Sequence, residues 1–437
     1  MRKIFFQPIT FSLFLLILLY SYSCKNHNKI EELTADGTWC WFSDPRAIYN
    51  ENVDQLITGF VTEDGSVVSL HYSLKNGETS TSVLNEKLEV DDHNNPAFVQ
   101  RPDGRYLAFY TKHHNRDLYM NMSTNPNDAS SWEPAISINP NGKADLEKYG
   151  DDKYTYANPF LLKSENNRIY LFGRWIGFKP NMSWSDDGGL TWADSRVVVS
   201  PEPFSWGQRP YVKYYADGLS KIHLVFTDGH PRDELSNSVY YACYFNGAFH
   251  RANGEVICAL EDLPFEPREA TLVYDASISG IRSWVFDIFA DEAGNPSIAY
   301  ARYPSEEEHI YYYTWFDGSQ WFNKEVVNSG KWFPQTPDGE TEREPHYSGG
   351  MSISPNAPHT IYASVERNGV FEIENWRLEN NKWLVKPITK NSSNNQVRPY
   401  TVKNAKDQTL LLWNSVDRYI HYTNFRTSLQ FIVENEQ

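Results

Sequence analysis

The chain has 437 residues and a formal net charge of −16, from 40 Lys and Arg against 56 Asp and Glu. With no basic stripe or run, that balance excludes nucleic acid as a partner, and any anionic ligand must be met by a local positive pocket rather than by the overall field. Aromatic residues make up 15% of the chain and long helical patterns are few, which favours an all-β fold whose rings cover pleated, half-buried surfaces.

A targeting segment comes first. Arg2 and Lys3 form a short basic region, an apolar stretch runs through Leu19, and Ser21-Tyr22-Ser23-Cys24 has the small residue before cysteine of a bacterial lipobox. The apolar run is too short for a good membrane span. A lipoprotein-type signal is expected over 1–23 and a tether over 24–36. The protein is then exported, as an outer-membrane or cell-surface lipoprotein or else secreted, and it meets the membrane only through a lipid on Cys24.

Over 37–437 one pattern recurs at roughly fifty to seventy-five residues. A polar group, often with proline, opens a short apolar strand; a turn with Gly, Asp or Asn follows, then a second strand and a Tyr- or Trp-rich one. The openings stand at Ser43, His93, Tyr156, Gln208, Trp284, His346 and Val397. A repeat of that size built of four short strands is a propeller blade. The seven openings predict one seven-bladed β-propeller, undivided by any Pro/Gly/Ser linker.

The second opening holds the densest chemistry. Between Asp91 and Asp117, His93, Asn94 and Asn95 precede an apolar strand, Pro102-Asp103-Gly104 turns the chain, and Tyr106–Tyr110 leads to His113 and His114. Two strands joined by a tight turn form a hairpin, so both histidine positions lie at one end of it. Adjacent residues of an extended chain point to opposite sides; His113 is read as facing the channel and His114 as its alternative.

The innermost strand of each blade lines the central channel, and ligands bind at one mouth of it. The other openings therefore add Arg46, Tyr156, Asn158, Arg209, Tyr211, Asp287, His346 and Arg398, and the exits of the second strands add Arg174, Asp228 and His230. A plainer reading stands beside each. A histidine beside a strand is more often bonded to backbone, a blade-opening tyrosine is often packing, and an arginine ending an apolar strand can simply carry its charge out to water. Ser185–Trp192 fits S-x-D-x-G-x-T-W, the Asp-box turn, in which Asp187 holds turn amides and is not a catalytic acid. Cys243 and Cys258 could pair or bind metal, but with Cys40 they show no disulfide framework.

Histidine, tyrosine and arginine without an obvious carboxylate pair bear on reaction class. Most glycosidases need two acids across the bond; here Asp44, Asp92 and Asp287 would have to serve. A sialidase-like hydrolase needs an arginine triad, which Arg46, Arg209 and Arg398 could mimic. β-Elimination at a uronic acid needs a group to neutralise the carboxylate, a base for the C5 proton and an acid for the departing O4. Arg, Asn and His suit the first task, Tyr and His the others. A non-catalytic glycan-binding lipoprotein using the same channel is the third alternative.

The segments WCWFSDPRAIY, DDHNNPAFVQRPDGRYLAFYTKH, YANPFLL…IYLFGRW and FTDGHPR…NSVYY resemble the BNR-repeat propellers that include the ulvan lyases of polysaccharide lyase families 24 and 25. The resemblance spans residues 36–425. It implies a seven-bladed propeller that cleaves rhamnose-3-sulfate–uronate linkages in the anionic algal polysaccharide ulvan and leaves an unsaturated uronate. It carries the catalytic histidines onto His93 and His113, the catalytic tyrosine onto Tyr156 and the carboxylate-neutralising arginine onto Arg174. Asn94, His114, Arg46, Asn158, Arg209, Tyr211 and His230 are the expected substrate contacts. The resemblance also implies a structural Ca²⁺ or Zn²⁺, with His230 and Cys243 conceivable zinc ligands; no cofactor is expected in catalysis, and the chain is expected to be a monomer.

Overall fold

Each recurring sequence unit folds into one small antiparallel sheet. The computed structural model describes residues 29–40, 42–305, 307–330 and 349–434. Its strands form seven sheets, six of four strands and one of six, arranged as the blades of a seven-bladed β-propeller. Blade 2 is typical: Ala97–Gln100, Tyr106–Thr111, Leu118–Met122 and Ile136–Ile138 run from the channel outward. All six residues of Tyr106–Thr111 are buried, because a blade packs against a neighbour on both faces; its strands therefore read as apolar runs rather than alternating ones.

The core lies between blades. Leu107, Phe109 and Met120 of blade 2 meet Ile169, Leu171 and Trp175 of blade 3. Phe160 and Phe172 of blade 3 meet Tyr214, Leu224 and Phe226 of blade 4. The Asp-box adds a tie between blades 2 and 3. Asp187 accepts bonds from the amides of Leu190 (3.0 Å) and Thr191 (2.9 Å) and from the Thr191 hydroxyl (2.6 Å). Those bonds, the Thr191 hydroxyl first, hold its carboxyl down at about 2. Trp192, turned by this hairpin, stands edge-on to Phe109 at 5.6 Å.

The ring is closed by the N-terminus. Glu31–Thr34 pairs with Asn424–Glu434 as the outermost strand of blade 7, whose other strands are Asn395–Thr401 and Thr409–His421. This corrects the tether over 24–36: its last residues belong to the propeller, and Leu33 is buried between blades 7 and 1. Pairing the last sheet with the first strand satisfies an edge that would otherwise stand open. The signal over 1–23, the anchor Cys24 and the opening at His346 lie outside the described residues. No described helix is long and apolar enough to cross a membrane.

Cys40, Cys243 and Cys258 are free thiols, so the Cys243–Cys258 pairing does not form. Cys243 sits opposite His223 in the strand ladder and Cys258 opposite Phe249.

Candidate active site

The starts of the inner strands and the ends of the second strands meet at one mouth of the channel. His93 is carried there by the short turn Asp92–Asn94, which Asp91 caps by accepting the His93 amide at 2.9 Å. The same carboxylate bonds His93 Nδ1 at 2.6 Å and His113 Nδ1 at 3.0 Å. The two imidazoles stack with centroids 4.1 Å apart and planes 18° from parallel. Tyr422, from the last hairpin, stands edge-on to both, at 5.0 and 5.3 Å.

One carboxylate between two rings separates their titrations. For His93 burial disfavours the charge, but Asp91 outweighs it and holds the imidazole well above its ordinary value. For His113 burial and then the neighbouring His93 charge bring the ring down to about 4. Asp91 is buried, yet the two imidazoles hold its carboxyl well below the usual range. Behind it, fully buried Asp92 accepts Arg398 Nη1 at 2.7 Å and the Tyr419 hydroxyl.

Tyr156 comes from blade 3. The ladder between Thr155–Leu162 and Arg168–Arg174 breaks register between Thr155 and Asn158, and Tyr156 takes φ +67 there. That left-handed bulge is uncommon for a residue with a Cβ and re-aims its ring. Gly173 makes room for it: a Cβ at that position would lie 2.5 Å from the Tyr156 carbonyl oxygen. The Tyr156 ring lies 5.6 Å from His93, and Arg174 Cζ lies 5.0 Å from its centre. Burial and then Tyr211 push the Tyr156 phenol above its ordinary value, while His93 and Arg174 pull the other way.

Arg174 is 5% exposed and touches the rings of Phe178 (4.3 Å), Tyr156 (5.0 Å) and Tyr211 (5.3 Å). Its Nη1 donates to Tyr211 Oη at 2.9 Å, while its Nε is buried with no partner. Burial would raise the Tyr211 phenol, but Arg174 and Arg209 outweigh it and hold it below its ordinary value. His230 packs on Trp284 (4.6 Å) and Tyr211 (5.4 Å), and its Nδ1 accepts the Arg232 amide at 3.1 Å. Burial, then Arg232, Arg209 and Arg174, hold it well below its ordinary value, so it is neutral.

The mouth thus brings together His93, His113, Tyr156, Arg174, Tyr211, His230 and, at its edge, Arg209. His114, at φ +55, stands at the edge of the mouth: its ring is edge-on to Phe178 at 5.1 Å and its Nε2 lies 3.6 Å from Asp151. Three expected substrate contacts are corrected. Asn94 is fully buried, its amide bonded to the carbonyl and the carboxylate of Glu89. Asn158 is 1% exposed, accepting the Asp44 amide at 2.7 Å and donating to the Phe172 carbonyl at 3.3 Å. Arg46 is 3% exposed, its Nε 3.1 Å from Asp44 and its guanidinium over the Tyr400 ring. With Arg398 committed to Asp92, the triad Arg46, Arg209 and Arg398 does not open on one site. Asp44 and Asp287 are not open acids either: Asp44 is paired with Lys213 and Arg46, and Asp287 with Lys403 at 2.5 Å.

Sequence reasoning passed over Asp91 and Tyr422. Asp91 had a signal, an Asp two residues before His93 at a turn start; Tyr422 had none, being brought from blade 7 by ring closure. Asp91, His93 and His113 form the one group among the described residues whose donor atoms lie within 4.8 Å of one another. Their Nδ1 and carboxylate atoms are already bonded to one another. Three such donors do not fit the four-ligand zinc or oxygen-rich calcium site of a structural ion. The suggested zinc ligands His230 and Cys243 do not share a site: one faces Trp284 at the mouth, the other His223 within the blade 4 ladder.

Seven small antiparallel sheets in a ring, with a histidine-, tyrosine- and arginine-lined mouth, define the chain as a seven-bladed β-propeller. The model of the BNR repeat-containing family matches residues 56–329, and the chain belongs to that family. No curated protein matches it in sequence. Among solved structures it is similar to a PL25 ulvan lyase bound to -[GlcA(1-4)Rha3S]-, at 14% identity and TM-score 0.68, covering 91% of this chain and 94% of that one. It is also similar to the polysaccharide lyase Uly1, at 13% identity and TM-score 0.59, covering 90% and 92%. At such identities the likeness shows a shared fold.

Proposed function

We propose that the protein is a polysaccharide lyase of the ulvan-lyase type, cleaving a sulfated uronate polysaccharide by β-elimination to leave a 4,5-unsaturated uronate. The observation that carries this reading is Tyr156 held between His93 and Arg174 at a channel mouth where Asp91 is committed to the two imidazoles and Asp92 to Arg398. Arg174 takes the uronate carboxylate and so acidifies the C5 proton. The Tyr156 phenolate removes that proton, electrons move into the C4–C5 bond, and the C4–O4 bond breaks as Tyr156 returns the proton to O4. The positive charges of His93 and Arg174 lower the cost of the phenolate. His113, neutral, and Tyr211, bonded to Arg174, complete the wall. The similar fold of an ulvan lyase seen with a glucuronate–rhamnose sulfate ligand agrees with this substrate class. Such an enzyme meets its polymer outside the cell, in keeping with the export signal read in residues 1–23.

The test is ultraviolet absorbance of the new C4–C5 double bond when the protein is incubated with ulvan and with other uronate polymers. A rise with ulvan is expected. No rise with any of them, or reducing sugar released without the chromophore, overturns the reading.

A further inference from the structure

Two guanidinium groups share one aromatic ring at the mouth. Arg174 Cζ lies 4.3 Å and Arg209 Cζ 5.3 Å from the centre of Phe178. Phe178 ends the turn Ile176–Phe178 at φ +58, a conformation unfavourable to a residue with a Cβ, so the ring is held in place by its surroundings. Arg174 and Arg209 each keep a buried Nε with no partner. Lys179 lies beneath, its ammonium bonded to the carbonyls of Ser205 (2.6 Å) and Gly177 (3.3 Å). In a chain of net charge −16 this is a local concentration of positive charge, the condition for holding an anion.

Arg174 accounts for one anionic group, the uronate carboxylate. Arg209 is a second cation beside it, and the same sugar has no second charge to offer. In a sulfated uronate polymer the next anion is the sulfate ester on the neighbouring sugar. We propose that Arg209, seated on Phe178, is the sulfate-recognising residue of the mouth and sets the preference for sulfated over unsulfated polymer. A guanidinium fork presents two parallel N–H donors, which suits the terminal oxygens of a sulfate ester. The acid facing Arg209 is Asp233, whose carboxylate lies 3.1 Å from Nη2, the two side chains being 26% and 44% exposed. An ion pair that wet is weak and gives way to a ligand. The inference rests on the lyase reading for the identity of the polymer.

The experiment compares ulvan with the same polymer chemically desulfated and reads the ratio of kcat/KM for the two. For the wild type the ratio is expected to be well above one. Arg209→Ala is expected to lower it by about tenfold or more, mainly through KM for the sulfated polymer, the scale of one charge-assisted hydrogen bond. Arg209→Lys should fall between, and Asp233→Asn, which frees the guanidinium, should hold or raise the ratio. If Arg209→Ala and Arg209→Lys reduce both polymers by one common factor, or leave the ratio untouched, the assignment is overturned. If the wild type makes no unsaturated product from any uronate polymer, the lyase reading fails separately. The assignment is then decided by titrating wild type and Arg209→Ala with the two polymers: loss of sulfate-selective affinity in the variant supports it, and equal selectivity overturns it.

Discussion

His93 and His113 stack face to face, centroids 4.1 Å apart, and share the Asp91 carboxylate through their Nδ1 atoms. Two imidazolium rings at that distance would repel strongly, so one carboxylate supports one proton between them. The shorter bond, and the second acid Asp92 at 3.2 Å from its Nδ1, assign the charge to His93. A cation then stands beside Tyr156 while a neutral ring lines the wall.

Asp91→Asn removes the charge that keeps His93 protonated. It should cut kcat about a hundredfold, within the range by which a positioned acid–base group contributes. It should also move the pH dependence of kcat/KM, since His93 would lose its proton at lower pH. Loss of one partner of a buried pair costs on the order of 3 kcal/mol, so unfolding is followed alongside. A variant with normal turnover and an unmoved pH profile would sink this role for Asp91.

Stability should carry the mark of the same pair. His113 stays neutral down to about 4 against an ordinary 6.5, so over that window the unfolded chain binds a proton that the folded chain refuses. Folded stability therefore falls as pH drops from 6.5 to 4, by up to the order of 3 kcal/mol. His93 acts with the opposite sign: its contribution is full below the ordinary value of 6.5 and is lost as pH rises through its raised folded pKa. The depressed Asp91 and Asp92 contribute above their ordinary 3.8 and lose that contribution only in stronger acid. His113→Gln should flatten the decline in Tm across the acid window; an unchanged slope would contradict the assignment.

The propeller was legible because its signals are local. Apolar, aromatic-rich strands and turn residues repeat at each opening, and the Asp-box declares its own hairpin. Closure was not, because Glu31–Thr34 is four residues with one buried side chain, and its partner strand lies at the other end of the chain. In the site, His93 and His113 could be read from one hairpin. Arg46, Asn94 and Asn158 were misread because an opening residue can face either the mouth or the interior of the ring. Bulges decide which: register breaks between Thr155 and Asn158 and between Val397 and Tyr400 turn Tyr156 toward the mouth and bury Arg398 against Asp92. No spacing rule reports a bulge in advance.

Tyr156→Phe should abolish turnover on ulvan by at least about 10²-fold while leaving polymer binding within a few fold, since it removes the proton carrier and little contact area. In the wild type, kcat/KM should rise toward alkaline pH, because burial pushes the Tyr156 phenol up and only the phenolate can act as base. His93→Gln removes a neighbouring cation and should move that limb to still higher pH. A Tyr156→Phe enzyme with substantial turnover would transfer the base role elsewhere, with Tyr211, held below its ordinary value beside Arg174, next in line.

Deeper in the channel, Asp44 pairs with Lys213 and Arg46, and Asp287 pairs with Lys403 while accepting the Ser352 hydroxyl at 3.0 Å and the Ile353 amide at 2.7 Å. All of these groups are buried or nearly so, and they come from blades 1, 4, 5, 6 and 7, so the network ties the inner strands together across the axis. Removing one partner leaves an uncompensated buried charge, which typically costs about 3–5 kcal/mol. Asp287→Asn keeps the shape and takes the carboxylate from Lys403; Lys213→Met removes one of the two cations on Asp44 and leaves it with Arg46 alone. Both should lower Tm by several degrees, while the lyase rate per folded molecule stays close to wild type, because neither group faces the mouth. A hydrolase would behave the other way: with Asp44 or Asp287 as its acid, Asp287→Asn or Asp44→Asn would abolish activity at temperatures where the protein remains folded. Measuring turnover and unfolding on the same preparations separates the two, and a folded but inactive Asp287→Asn enzyme would overturn both the structural role given to this network and the elimination chemistry assigned to the mouth.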